Sequence, residues 1–374
     1  MDKSEYRHAA YDMIYLAACA VNNRNPNIEA VKNMDIDAVF NISEAHNLTA
    51  AVSYGLLSAG INDSRFNEAR EKAIRKNILL DADRARIFRR MDEEGIWHMP
   101  LKGALLKDWY PKLGMRQMSD NDILFDPSSR ETVKRIMEEL RFSCEHYGTG
   151  CNDAYYHNPV SNFEMHIALF TAAGSTTLKN YYSDIKKKLI PDKDNRSLLH
   201  FTPEDFYLYL LSHEYKHFSS GGTGVRSLLD TYVFLRRYGN DIDWSYIECE
   251  AEKLGLKQFE INNRVLALKL FTLKKLTQED KKALDYYVMS GTYGTIANKA
   301  RNTVNNKLEN NSPIKKAEYL FRRLFPPMEH YKVWFPWAYR HKLLLPAAWL
   351  FRIIRAGTSR RVLTSGELKT LRHK

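Results

Sequence analysis

The chain has 374 residues, enough for two or three domains with a hydrophobic core, and its 44% hydrophobic and 27% charged composition is that of an ordinary soluble protein. A net charge of +11 favours a polyanionic partner (a nucleoside triphosphate, nucleic acid on charge alone, or an anionic membrane surface), the alternative being a solvated basic face. No run of about 18 apolar residues occurs, which argues against a transmembrane helix, and the cysteines (Cys19, Cys144, Cys151, Cys249) form no C-x-x-C, which argues against a cysteine zinc site.

Residues 1–95 read as helical. The opening MDKSEYRHAA lacks a basic and then apolar leader pattern, so no secretory signal is expected, and reduced thiols in the cytoplasm are the simplest expectation. An apolar-rich segment covers 5–21. A second helix begins near Asp35, with Ala38, Val39, Ile42, Ala45 and His46 at three- and four-residue steps. A third runs from a cap at Asp63 to Glu94 and stops at Gly95. Its stripe of Phe66, Ala69, Ala73, Leu80, Ile87, Phe88 and Met91 marks it as scaffold that delivers the chain into a strand at Ile96.

Ile96–Leu101 is short, mostly apolar and bounded by glycine, as a buried strand is. At Lys102-Gly103 it turns into the helical ALLKDWY, closed by Pro111. Arg116, Ser119-Asp120-Asn121-Asp122 and the apolar Ile123-Leu124-Phe125 follow. If Asp120 and Asp122 lie on that second strand, its period of two puts both carboxylates on one face. Such a pair is stable only with a cation between them, typically a hard divalent ion with oxygen ligands; a lone D-x-D is otherwise a turn or surface feature. Beyond a Pro127–Ser129 turn come the helix ETVKRIMEELR, a strand at Phe142–Tyr147 and a polar turn at Gly148–Asp153. Ala154–His157 and Ser161–Ile167 then form a hairpin around Asn158-Pro159, with Asn162, Glu164 and His166 on one strand face.

Thr202-Pro203-Glu204-Asp205 is a strong helix start, leading into FYLYLLSHEYKHF. Gly221–Gly224 breaks that helix, and VRSLLDTYVFLRRYG carries Arg226 and Asp230 four residues apart. Two helical segments are expected over about 245–290, and residues 301–313 read as an exposed Asn-rich loop. A basic amphipathic helix near Leu343–Arg355 either lies on an anionic membrane or packs on the helical domain, the second being favoured. There are no internal repeats and no low-complexity linker.

KG-A-L-L-x(3)-Y-P followed by R-x(3)-D-x-D-I-L-F resembles the uncharacterised nucleotidyltransferase-like family of bacterial proteins, within the polymerase-beta-type nucleotidyltransferase superfamily. By element order the resemblance covers roughly residues 25–350. It implies an α+β fold, a small mixed sheet flanked by N- and C-terminal helical regions. The expected parts are a helical region 1–95, a nucleotidyltransferase-like α/β domain 96–190, a helical domain 191–330 and a basic aromatic segment 331–374. It also implies two Mg2+ ions (Mn2+ as a variant) held by Asp120, Asp122 and Glu164, with transfer of a nucleoside monophosphate from an NTP to an acceptor: a small molecule, a sugar phosphate or a protein. Lys102, Gly103, Arg116, Ser119 and Lys216 are expected near the phosphates, and His166, His213, His217, Arg226 and Asp230 elsewhere in the cleft. One departure is evident: the superfamily's usual Gly-Ser after the first strand is Lys102-Gly103 here, leaving Lys102 to stand in for the serine.

Three other readings compete. His213-Glu214-Tyr215-Lys216-His217 is literally H-E-x-x-H on a helix, the zinc-hydrolase pattern, with Glu248 and Glu250 as generic third ligands. Alternatively these histidines pack between helices and Arg226–Asp230 is a structural ion pair, or the fold is a retired enzyme that binds a nucleotide or another anion.

Overall fold

The computed structural model describes residues 2–148, 150–171 and 175–292, then 294, 295, 298, 302, 325, 328, 331 and 335–351. Most of the expected 301–313 loop, and residues 352–355 of the expected basic helix, lie outside the described residues. The chain forms two compact units: Met1–Lys216 with Gly224–Thr292, and His217–Thr223 with Tyr293–Lys374.

The first unit opens with five helices, where the sequence pattern predicts three: α1 (Lys3–Val21), α2 (Ile28–Lys32), α3 (Ile36–Ala45), α4 (Thr49–Ser58) and α5 (Ser64–Glu93). A reciprocal cap starts α1: Asp2 accepts from the Ser4 and Glu5 amides, and the Glu5 carboxylate takes the Asp2 amide. Asp35 and Asp63 cap α3 and α5. α4 is buried on nearly every side, so TAAVSYGLLS carries no stripe for a periodicity argument to detect.

Next come β1 (His98–Pro100), α6 (Gly103–Leu106), β2 (Asn121–Phe125), α7 (Arg130–Glu139), β3 (Ser143–His146), β4 (Asn152–His157) and β5 (Ser161–His166). The five strands form one sheet in the order β1-β2-β5-β4-β3. β2 and β5 run parallel and the other pairings are antiparallel, so the sheet is mixed. The fold class is α+β, as the residue pattern and the resemblance imply. β4 begins inside the segment expected to be a turn, which lengthens the hairpin and brings Asn152 opposite His166.

Each sheet face has its own burial. Ile123, Phe125, Tyr155, Phe163 and Met165 pack under α5 and α7, against Leu80, Ile87, Met91, Val133 and Ile136. Each such side chain, fully buried, contributes roughly 1.5–3 kcal/mol. The register pairs Asp122 with Glu164 and Leu124 with His166, so these four share the opposite face.

The rest of the first unit is helical apart from the small hairpin β6 (Leu189–Pro191) and β7 (Leu199–Phe201), which with α8 (Thr176–Tyr181) is an addition to the expected elements. α9 (Pro203–Phe218) starts where its signature places it, Thr202 Oγ1 accepting the Asp205 amide at 3.2 Å. α10 (Val225–Tyr238) follows. Then α11 (Trp244–Lys253), α12 (Lys257–Phe271) and α13 (Gln278–Ser290) fill the stretch where two segments are expected. Leu124 and Met99 join Leu208, Leu211 and Phe234 of α9 and α10 in one core. That core closes part of the second sheet face and leaves the carboxylates at its margin.

In the second unit α14 (Pro336–Arg340) and a helical stretch over 345–351 gather around buried Tyr331, Ala338 and Ala348. Among the described residues no helix is long and apolar enough to cross a membrane.

Candidate active site

The site begins at the turn between β1 and α6. Leu101 donates to the Asp122 carbonyl at 2.9 Å, and Ala104 closes the turn on the Leu101 carbonyl at 3.1 Å. Lys102 takes φ +37° and ψ −107°, close to the first central position of a type II′ turn, which glycine occupies without steric cost. A lysine there costs of order 1–3 kcal/mol. Gly103 is required for a different reason: a Cβ would sit 2.4 Å from Arg116 Nη1 and 3.0 Å from Met118 Sδ. The Arg116 guanidinium thus fills the space that any side chain at position 103 would need.

The parallel pairing of β2 and β5 sets Asp122 directly across from Glu164. Asp122 Oδ1 lies 2.9 Å from His166 Nε2, and Asp122 Oδ2 lies 3.2 Å from Lys102 Nζ. His166 Nε2 also lies 3.4 Å from Glu164 Oε2, which accepts from Asn152 Nδ2 at 2.9 Å. Burial by itself raises the Asp122 pKa, but Lys102 and His166, with His213 behind them, outweigh it and hold the carboxyl below the usual range. For His166 burial is likewise the largest influence and lowers the pKa. Its bonds to Asp122, the Cys151 thiol and Glu164 together reverse that and push it up to about 10. The His166 contact in turn lowers the Cys151 thiol pKa, with Lys216 adding to the effect.

One ligand atom from each of Asp122, Glu164 and His166 falls within 4.8 Å of the others, the one such group of three among the described residues. Two carboxylates and an imidazole fit a divalent cation once the imidazole has released its second proton. The nitrogen donor tilts the preference from Mg2+ toward Mn2+ or Zn2+. Asp120 stands just before β2, outside that group. Burial raises its pKa, and the Asp122 and Glu164 carboxylates raise it further, while Lys102 and Arg226 pull it down. The three sequence-predicted carboxylates are therefore electrostatic neighbours.

The other expected residues divide. Arg116 is turned away from a phosphate role: it is buried, its Nε and Nη2 bind Asp230 at 2.8 and 2.9 Å, and its Nη1 rests on Met118 Sδ at 3.0 Å. Tyr110 also donates to Asp230 Oδ1, at 2.7 Å. Arg116, not a helical neighbour four residues away, thus fills both Asp230 oxygens. Arg226 donates to the Gln117 carbonyl at 3.3 Å and faces Asp120 electrostatically. Ser119 lies in the loop before β2, where Lys76 Nζ bonds its carbonyl at 2.7 Å. His213 acts on Asp122, and Lys216 is exposed farther along α9. His217 belongs to the second unit.

Glu214 points elsewhere. It is buried, and its Oε1 accepts from Ser227 Oγ at 3.0 Å and Asn263 Nδ2 at 2.6 Å, so it is a core carboxylate and not poised to activate water. Neither it nor the flanking histidines form a three-ligand group among the described residues, and the zinc-hydrolase pattern draws no support. Sequence reasoning missed Asn152, Cys151 and Tyr110. The first two were hidden by a turn reading of 148–153, although strand alternation back from Ala154 would have placed Asn152 on the Glu164 face.

The fold and site define an α+β protein with a cluster of two carboxylates and a histidine, compatible with a cation, across a parallel strand pair that follows a strand–turn–helix. Residues 32–272 match a family described as an uncharacterised nucleotidyltransferase, and the chain belongs to that family. No curated protein and no solved structure matches it.

Proposed function

We propose that the protein transfers a nucleoside monophosphate from an NTP to an acceptor hydroxyl, with Asp122, Glu164 and Asp120 as its metal-holding carboxylates. The observation that carries this reading is the convergence of Asp122, Glu164 and His166 within 4.8 Å, in a member of a nucleotidyltransferase family. When bound there, divalent cations polarise the reacting phosphate and lower the pKa of the attacking hydroxyl. The protein's own part is placement and charge. Asn152 and His166 both engage Glu164 Oε2 and so orient its carboxylate, and Glu164 is about one-third exposed, within reach of an acceptor's proton. Lys102 serves the triphosphate as a mobile point charge, and Arg226 and Lys216 extend the positive rim. Arg116 acts one step back, holding the turn that carries Lys102.

A second reading, a nucleotide-binding member without transfer activity, is favoured by one specific contact: Lys102 already neutralises Asp122. Labelled NTPs with Mn2+ or Mg2+ separate the two. Transfer is expected to release pyrophosphate and to fall at least about a hundredfold on Asp120→Asn with Asp122→Asn. Tight nucleotide binding with no pyrophosphate from either protein, across a panel of hydroxyl acceptors, selects the binding module instead.

A further inference from the structure

We infer that Lys102 is a resident counter-ion of the carboxylate cluster, exchanging Asp122 for the triphosphate when a metal–nucleotide complex arrives. The cluster therefore takes a divalent ion weakly by itself and tightly only together with nucleotide. This rests on the nucleotidyl-transfer reading above.

The backbone is the first reason. Lys102 occupies a turn position with φ +37° that glycine fills without strain, so the local fold gains nothing from a lysine there except its side chain. That side chain spans the turn to place Nζ 3.2 Å from Asp122 Oδ2, while His166 covers Oδ1 at 2.9 Å. Both oxygens of the central carboxylate are thus already engaged, one of them by the Lys102 ammonium. A divalent cation using Oδ2 must displace the ammonium, and while Lys102 stays nearby the like charges repel.

The second reason is the chemistry of the displaced group. An ammonium on a four-carbon stem has three rotatable donors and follows a phosphate readily, which the planar Arg116 fork, locked on Asp230, cannot do. Lys102 keeps 16% of its side chain exposed. Removing its charge should therefore have opposite effects on the two ligands, a signature that a merely structural residue does not produce.

The test uses the full chain with Mn2+ as probe, its binding followed by electron paramagnetic resonance, and a non-hydrolysable ATP analogue with Mn2+ as the second ligand. Lys102→Met removes the charge and keeps the stem; Lys102→Gly also relaxes the turn, so at least one folded variant is expected, checked by thermal unfolding. Both variants should bind Mn2+ alone about tenfold more tightly than the wild type and the Mn2+–analogue complex about tenfold more weakly. Mn2+ affinity that is unchanged or lower in both variants overturns the inference while leaving nucleotidyl transfer intact if the wild type still releases pyrophosphate. If no form binds Mn2+ with or without analogue, the metal-dependent reading fails and this inference fails with it.

Discussion

Asp122 takes a cationic hydrogen bond on each oxygen, and His166 is the partner whose chemistry that arrangement alters most. With its pKa raised from 6.5 to about 10, His166 contributes stability that is fully present below pH 6.5 and is lost as pH rises through about 10. Asp122→Asn removes the main anionic partner, so in metal-free buffer the imidazole pKa measured by NMR should fall by at least about two units; a value still near 10 would assign the shift to Glu164 instead. Glu214 gives a second pH signature. Burial raises its carboxyl to about 7, with Ser227, Tyr287 and Asn263 working against the shift. A carboxyl raised this way stabilises the fold when protonated, fully below its ordinary pKa of 4.5, and that contribution is lost as pH climbs through about 7. Glu214→Gln, which cannot ionise, should therefore be more stable than the wild type at pH 8 by on the order of 2 kcal/mol, with little difference at pH 4. Denaturant unfolding at the two pH values measures it, and an equal effect at both would place the ionisation elsewhere.

At the scale of elements, the segment from α6 to β2 is held less by hydrogen-bonded secondary structure than by one buried ion pair. Arg116 reaches α10 across 114 positions of sequence, and Tyr110 joins it on Asp230. Breaking a buried pair leaves an uncompensated charge, so Asp230→Asn should cost roughly 3–5 kcal/mol, whereas Arg116→Met with Asp230→Leu should recover much of that loss. Urea unfolding of the single and double variants checks the pattern, and additive losses would contradict it. Gly103→Ala strikes the same joint from the other side, because its new methyl would displace the guanidinium; a loss of about 1–3 kcal/mol is expected. This joint shows where the sequence was legible and where it was not. Strand, turn and helix around Lys102, the hairpin that carries Glu164, and the Thr202 cap each announce themselves within a few residues, since alternation and turn chemistry are local. The partner of Arg116 is decided by how α10 packs on the turn, which no local spacing encodes. The i,i+4 rule pointed instead to Arg226. Asp120 likewise looked like a strand residue by alternation, yet β2 starts one residue later, at a boundary that pattern alone does not define.

At the scale of the molecule, the site draws Lys102, Asp122, Glu164, His213 and Arg226 from two strands, a turn and two helices of the first unit. No short stretch can form it alone, so a ligand that binds there recognises the folded unit and not the unfolded chain. Such a ligand stabilises by mass action, by about 2.7 kcal/mol at a hundred times its Kd. Mn2+ with a non-hydrolysable ATP analogue should accordingly raise the unfolding temperature of the first unit by a few degrees in calorimetry. Asp120→Asn with Asp122→Asn should abolish the shift while leaving the ligand-free transition folded and cooperative, because both substitutions keep the side-chain size and neither residue belongs to an apolar core cluster. Part of the attraction comes from the net charge of +11, and that part is screened over roughly 8 Å at physiological salt. The shift should therefore shrink but persist between 50 and 300 mM salt, since the proposed contacts to Lys102 and the carboxylates would be direct ones, little affected by screening. A shift that disappears entirely with salt, or that survives the double substitution, would mean that the nucleotide is held by the basic surface and not by the carboxylate site.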